Sequence, residues 1–168
     1  LLFLRQGEAL RLADSNAGDS RFKHSKTPVH FVGQCLCGLA VSQGQPLYST
    51  DIHRDDRCTW EECKKSGLRS FAALPLRGRE GIIGVLGLAS ATERDFEQQA
   101  PFLETLADEA ALGIQNAWLH QETRDLAVFN QSMVERMAEG IVLQDTRGRF
   151  TFINPAAARM LDYTQQEM

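Results

Sequence analysis

The chain has 168 residues, 43% of them apolar and 24% charged, with 18 basic and 22 acidic side chains and a net charge of −4. That balance belongs to an ordinary globular protein of one domain, or one plus part of another. It excludes a nucleic-acid partner held by a basic tract, and no apolar run is long enough to insert in a membrane. No signal peptide opens the chain, so its four cysteines read as thiols or metal ligands in a reducing cytoplasm, not as a disulfide framework. The sequence starts inside LLFL without a methionine and stops at Met168 in what reads as mid-domain, the pattern of a piece of a longer polypeptide.

Residues 1–4 and 9–13 are apolar runs separated by Arg5-Gln6-Gly7-Glu8, a hairpin signal. Residues 14–25 are polar and turn-rich and read as an exposed, mobile loop. Residues 33–44, GQCLCGLAVSQG, have a glycine at each end and predict a short buried helix carrying Cys35 and Cys37. Residues 46–52 predict a strand that runs into a loop.

In RCTWEECKKSG, Thr59 followed by Glu62 is a capping box, and Gly67 is placed to end a helix over residues 60–66. With Thr59 as the cap, Cys58 and Cys63 take the two positions that meet in a hydrophobic staple. They are expected neighbours on the side of Trp60, and the pair best placed for a disulfide.

Residues 69–77 and 81–90 predict a second hairpin whose strands are apolar on both faces, so both faces must be covered. A long helix can cover one, and the short cysteine-bearing helices the other. Gly84 and Gly87 within a strand suggest close approach of a helix or a ligand.

Residues 101–138 read as one helix, opened by Pro101 and weakened only at Gly113; at about 1.5 Å per residue it reaches roughly 55 Å. The competing reading is two shorter helices with a break near residues 121–125. Leu112, Asn116, Leu119, Thr123, Leu126, Asn130, Met133 and Met137 alternate in steps of four and three, the seam of a two-stranded coiled coil. The polar seam positions would fix register at some cost in stability, and the seam predicts a homodimer. Gly140 ends the helix. Residues 141–144 and 150–153 then predict a hairpin, and Asn154-Pro155 a short helix over residues 156–161 with Ala157, Met160 and Leu161 packed inward.

Residues 1–119 resemble the GAF family of sensory domains, through GQCLCGLAVSQGQPLYSTDI, SGLRSFAALPLR, GIIGVLGLAS and the helix FLETLADEAALGIQNAWL. The resemblance implies an α+β fold: an antiparallel sheet of about six strands, helices on both faces and a pocket over one of them. The family's leading helices are not in this sequence. Through MAEGIVLQDTRGRFTFINPAAARMLDY, residues 134–168 resemble the first third of a PAS domain, with Asn154 where that family often has asparagine. Such a fragment is expected to be poorly ordered or to borrow contacts from a neighbour. The organisation is thus a sensory domain (1–119), a coiled-coil signalling helix (120–138) and a PAS-like fragment (139–168). This arrangement is similar to bacterial sensor proteins whose output is a histidine kinase or a cyclic-dinucleotide enzyme.

In such a fold Cys35, Cys37, Cys58 and Cys63 would border the pocket. Three readings are open: small apolar packing, a thiol redox switch, or ligation of zinc, an iron–sulfur cluster or haem. Residues two apart on a regular helix point to nearly opposite sides, so Cys35 and Cys37 share one ion only if that turn is irregular. Trp60 and Phe71 are core or a ligand-pocket wall. His53, Asp51, Asp55 and Asp56 read as a solvated loop, and His24, His30 and His120 have no metalloenzyme spacing. No catalytic constellation or phosphate loop stands out, so the reading is a regulatory module, not an enzyme. The alternative is a ligand-free structural dimerisation platform.

Overall fold

The computed structural model describes residues 1–15 and 29–162, so most of the loop expected over residues 14–25 lies outside the described residues. It divides into two compact units, Leu1–Gln115 and Asn116–Met168.

The first unit is built on a six-stranded antiparallel sheet. Strands β1 (Leu2–Gln6) and β2 (Ala9–Asp14) form the opening hairpin, and β3 (His30–Phe31) pairs with β2. Helix α1 (Cys35–Gln43) ends at Gly44, whose left-handed φ of 67° a side chain would resist. Then come β4 (Leu47–Ser49), the short α2 (Glu61–Lys65), and the long hairpin of β5 (Ser70–Gly78) and β6 (Gly81–Ser90). The strand order is β3-β2-β1-β6-β5-β4.

Strand β5 explains why both faces are covered. Phe71 and Ala73 point into a cluster with the four cysteines, Leu36 and Val85, under α1 and α2. Ala72, Leu74 and Leu76 point the other way, onto Leu103, Ala107 and Ala111 of α3 (Ala100–Arg136). Those three recur every four residues, one stripe on the helix. Leu74 and Leu76 are fully buried there, worth about 1.5–3 kcal/mol each. The helix is continuous over 37 residues, with no break near residues 121–125.

Two expectations for this unit need correction. The close approach at Gly84 and Gly87 comes from neither a helix nor a ligand: a Cβ on Gly84 would run into the Phe3 carbonyl of the adjacent strand, and one on Gly87 into the Phe71 ring. The capping box at Thr59 does not form. Helix α2 starts one residue later, with an extended Trp60 as its cap and no side-chain capping bond. Gly67, at φ 73°, does end it, its N–H donating to the Lys64 carbonyl at 3.1 Å.

In the second unit, β7 (Val142–Gln144) and β8 (Phe150–Ile153) form a hairpin followed by α4 (Pro155–Leu161). Asn154 is completely buried and holds these pieces together. Its Nδ2 donates to the carbonyls of Val134 (3.1 Å) and Glu139 (2.9 Å), and its Oδ1 accepts from the N–H groups of Ile141 (2.8 Å) and Ala157 (2.9 Å). Two donors and two acceptors are all that an amide side chain has. Ala156 and Ala157 pack inward, but Met160 and Leu161, expected to do so, are exposed. A two-stranded hairpin is too narrow to cover more than one stripe of α4.

Candidate functional site: a closed chamber of four thiols

Helix α1 brings Cys35 and Cys37 to the sheet, and the segment leading into α2 brings Cys58 and Cys63 over them. All four are buried free thiols, and they line one chamber with Leu1, Phe3, His30, Leu36, Trp60 and Phe71. The space left among them is about 10 Å³, close to what one water molecule needs.

Cys35 and Cys37 both face the chamber because the helix is irregular where it starts. Cys35 has φ 56°, in the left-handed region that few non-glycine residues adopt. Its Sγ lies 3.9 Å from that of Cys58. Cys58 and Cys63 line the chamber together beside Trp60, as expected, but the thiol contact is between Cys35 and Cys58. With Trp60 as cap, Cys58 and Cys63 no longer hold the staple positions.

The electrostatics separate the four sulfurs. The contact between the Cys35 and Cys58 thiols holds the Cys35 pKa below its ordinary value against burial. Backbone N–H groups of Trp60, Leu36 and Thr59 add to the effect. Cys58 moves up because its proton is shared with Cys35 and because it is buried. Burial pushes Cys63 up to about 12 and raises Cys37 as well. Of the four thiols, Cys35 is the one shifted toward its thiolate.

His30 is the residue that sequence reasoning passed over. It is 3% exposed, and its Nε2 has no hydrogen-bond partner among the described residues. Its ring lies 3.5 Å from that of Trp60, centre to centre, and meets Phe3 edge-on at 5.3 Å. Burial lowers its pKa to about 4, so the imidazole is neutral at physiological pH. Trp60 and Phe71 both stand in the chamber wall, as the pocket-wall reading requires.

Other candidates lie elsewhere. His53 is exposed, its Nε2 3.2 Å from the Leu68 carbonyl oxygen. Asp51 pairs with Arg69 at 2.9 Å and Asp55 with Arg57 at 2.7 Å, while Asp56 is exposed. The Arg57 hydrogen bond holds the Asp55 carboxyl down to about 2. Among the described residues no group of three or more His, Cys, Asp or Glu is arranged to hold a metal ion. Neighbouring thiols alone do not make the tetrahedral set of zinc or an iron–sulfur cluster, and haem would require the chamber walls to part.

On the helix, Leu119 and Leu126 of the seam are 57% and 55% exposed, and Leu112 and Met133 are exposed too; the helix ends at Arg136 and not at the expected 138, so Met137, also exposed, lies just past it. Asn116, Thr123 and Asn130 share that exposure. Among the described residues no helix is long and apolar enough to cross a membrane.

A family model described as GAF domain matches residues 1–115, and one described as PAS domain matches residues 129–168. The PTS-dependent dihydroxyacetone kinase operon regulatory protein of Escherichia coli is 27% identical over 132 residues, which is 77% of this chain. The chain spans 19% of that regulator's length. The GAF domain of an Acinetobacter phosphoenolpyruvate-protein phosphotransferase superposes with a TM-score of 0.58 at 18% identity, covering 72% of each chain. A free methionine-R-sulfoxide reductase from Neisseria meningitidis, solved with its substrate, gives 0.51 at 23% identity, covering 63% of this chain and 60% of its own. Those two likenesses concern the fold.

Proposed function

From the premise that the chain belongs to the GAF domain family of small-molecule-binding regulatory domains, we propose that it is a cytoplasmic sensory module of a bacterial regulatory protein. The thiol chamber reads a small molecule or its own redox state. Helix α3, paired with a second copy through the seam from Leu112 to Met137, carries the reading toward the PAS-like unit and an output beyond it. The role is regulatory and not catalytic, and no nucleic acid binds this acidic segment. The operon-regulating relative supports a transcriptional output ahead of the histidine-kinase or cyclic-dinucleotide outputs expected from the arrangement.

One observation carries this reading: β5 belongs to both sides of the sheet. Phe71 is a wall of the chamber, and its neighbours Ala72 and Leu74 pack on α3. A change in the chamber that displaces Phe71 displaces the surface on which the helix rests. Packed cores switch between discrete arrangements and do not deform smoothly, so such a shift can select between two packings of the helix pair.

The test places single cysteines at Leu119 and at Leu126 and crosslinks them with a short bismaleimide. The unsubstituted chain, with its buried thiols, is the control. Crosslinking between chains at both sites supports the parallel pair. Failure at both, in protein shown to be folded by its melting transition, sinks it. A second reading, a dimerisation platform without a ligand, draws on the 10 Å³ chamber, which the protein's own side chains nearly fill.

A further inference from the structure

The chamber has two features that packing alone leaves unexplained. Cys35 sits in a left-handed backbone conformation, at a cost of order 1 kcal/mol for a non-glycine residue. The turn before it is tied down, with the Gln34 N–H donating to the Phe31 carbonyl and the Gly33 N–H to that of Gly38. The conformation keeps the Cys35 sulfur 3.9 Å from Cys58. The second feature is His30, buried among rings in the same wall with a nitrogen that has no partner among the described residues. An unpaired buried polar atom costs about 1–3 kcal/mol, so a partner absent from the chain is the economical explanation.

We propose that Cys35 is a peroxide-reactive thiol and Cys58 the thiol that resolves it, so that a small hydroperoxide entering the chamber closes a Cys35–Cys58 disulfide. The inference rests on the sensory reading above and names its input.

The chemistry balances within the chamber. The Cys35 thiolate attacks the terminal oxygen of the peroxide; an S–O bond forms, the O–O bond breaks, and the departing oxygen leaves as water or an alcohol once protonated. Cys35 is then a sulfenic acid. The Cys58 sulfur attacks the Cys35 sulfur, an S–S bond forms, the S–O bond breaks, and hydroxide leaves with the Cys58 proton as water. Two thiols are oxidised and one peroxide is reduced.

The remaining groups fit these steps. The backbone N–H groups of Trp60, Leu36 and Thr59 favour the charged form of the Cys35 sulfur. His30 Nε2, unpaired among the described residues, can exchange a hydrogen bond with the peroxide. The space is close to that of one water, so the side chains around it must yield slightly to take hydrogen peroxide, and a bulky hydroperoxide is excluded. Cys37 and Cys63 lie close by, but burial keeps them protonated. Closing the gap to about 2 Å draws the start of α1 toward the segment before Trp60.

The experiment treats the reduced chain with hydrogen peroxide and maps linkages by tandem mass spectrometry without reduction. The expected product is a Cys35–Cys58 disulfide that dithiothreitol reverses. The Cys37→Ala/Cys63→Ala variant should form the same link, whereas Cys35→Ser and Cys58→Ser should lose it completely. A link through Cys37 or Cys63, oxidation of Cys35 to sulfinic acid without a link, or no reaction in the unsubstituted chain overturns the inference. Because the unsubstituted chain is read directly, a variant that fails to fold does not blunt the result. The two readings also separate. A disulfide that forms while the Leu119 and Leu126 sites fail to crosslink leaves this inference standing and removes the relay; crosslinking without a disulfide does the reverse.

Discussion

Asn154 in the second unit and His30 in the first are both buried polar side chains, and the chain provides for them in opposite ways. Every donor and acceptor of the Asn154 amide is paired, each with a backbone group from a different segment. The Nε2 of His30 has no partner among the described residues. A saturated polar group fixes one arrangement, because any movement breaks several bonds together. An unsaturated one beside a thiol held at positive φ adds cost without adding rigidity. Such costs persist where the site needs something that enters and leaves. Asn154 is thus a structural node, and His30 an unsaturated group in the wall of the thiol chamber.

Removing the node should give the largest effect. Asn154→Ala deletes four hydrogen bonds and leaves the carbonyls of Val134 and Glu139 and the N–H groups of Ile141 and Ala157 unpaired. At about 1 kcal/mol each, the local loss is about 4 kcal/mol. Amide hydrogen exchange at Ile141 and Ala157 should accelerate by roughly a hundredfold or more, with protection in β5 unchanged. Unaltered exchange at those two amides would remove one half of the comparison.

The other half can be read by pH. Burial lowers the His30 pKa to about 4 from the ordinary 6.5, so the folded chain holds it neutral where the unfolded chain takes up a proton. Stability from this group is therefore constant above pH 6.5 and falls as pH drops toward 4, by up to about 3 kcal/mol. Urea titrations of the native chain and a His30→Leu variant across that window should diverge as pH falls. Above pH 6.5 the variant should be no less stable than the native chain, since it removes an orphaned nitrogen. Parallel curves would mean that His30 is charged or paired in the folded protein.

The same contrast marks what was legible in the sequence. Apolar residues on both faces of residues 69–77 and 81–90 foretold a central hairpin covered on both faces, and β5 does divide its side chains between the cysteine helices and α3. Asn154-Pro155 foretold the start of α4, because capping is a local rule. The chamber was half legible. The four cysteines and the Trp60 and Phe71 walls could be named from two segments, but their pairing could not. Cys35 meets Cys58 across 23 positions only because φ at Cys35 is positive, and a local pattern favoured Cys63. His30 carries no signal at all: one histidine in a two-residue strand acquires meaning only when Trp60 closes over it.

The smallest effect tests where that local pattern failed. Were Thr59 the cap of α2, Thr59→Ala would cost about 1 kcal/mol. In the structure Thr59 is exposed, and the cap position belongs to Trp60 without a side-chain bond. The threonine hydroxyl is free to bond water, so its removal leaves no buried group unpaired. Its backbone N–H, which serves the Cys35 sulfur, survives the substitution. The expected change in unfolding free energy is below about 0.5 kcal/mol, measured by urea titration of the reduced protein, and the Cys35–Cys58 linkage should form as before. A loss near 1 kcal/mol would restore Thr59 as the cap, return Cys58 and Cys63 to the staple positions, and make that pair the one to expect after oxidation.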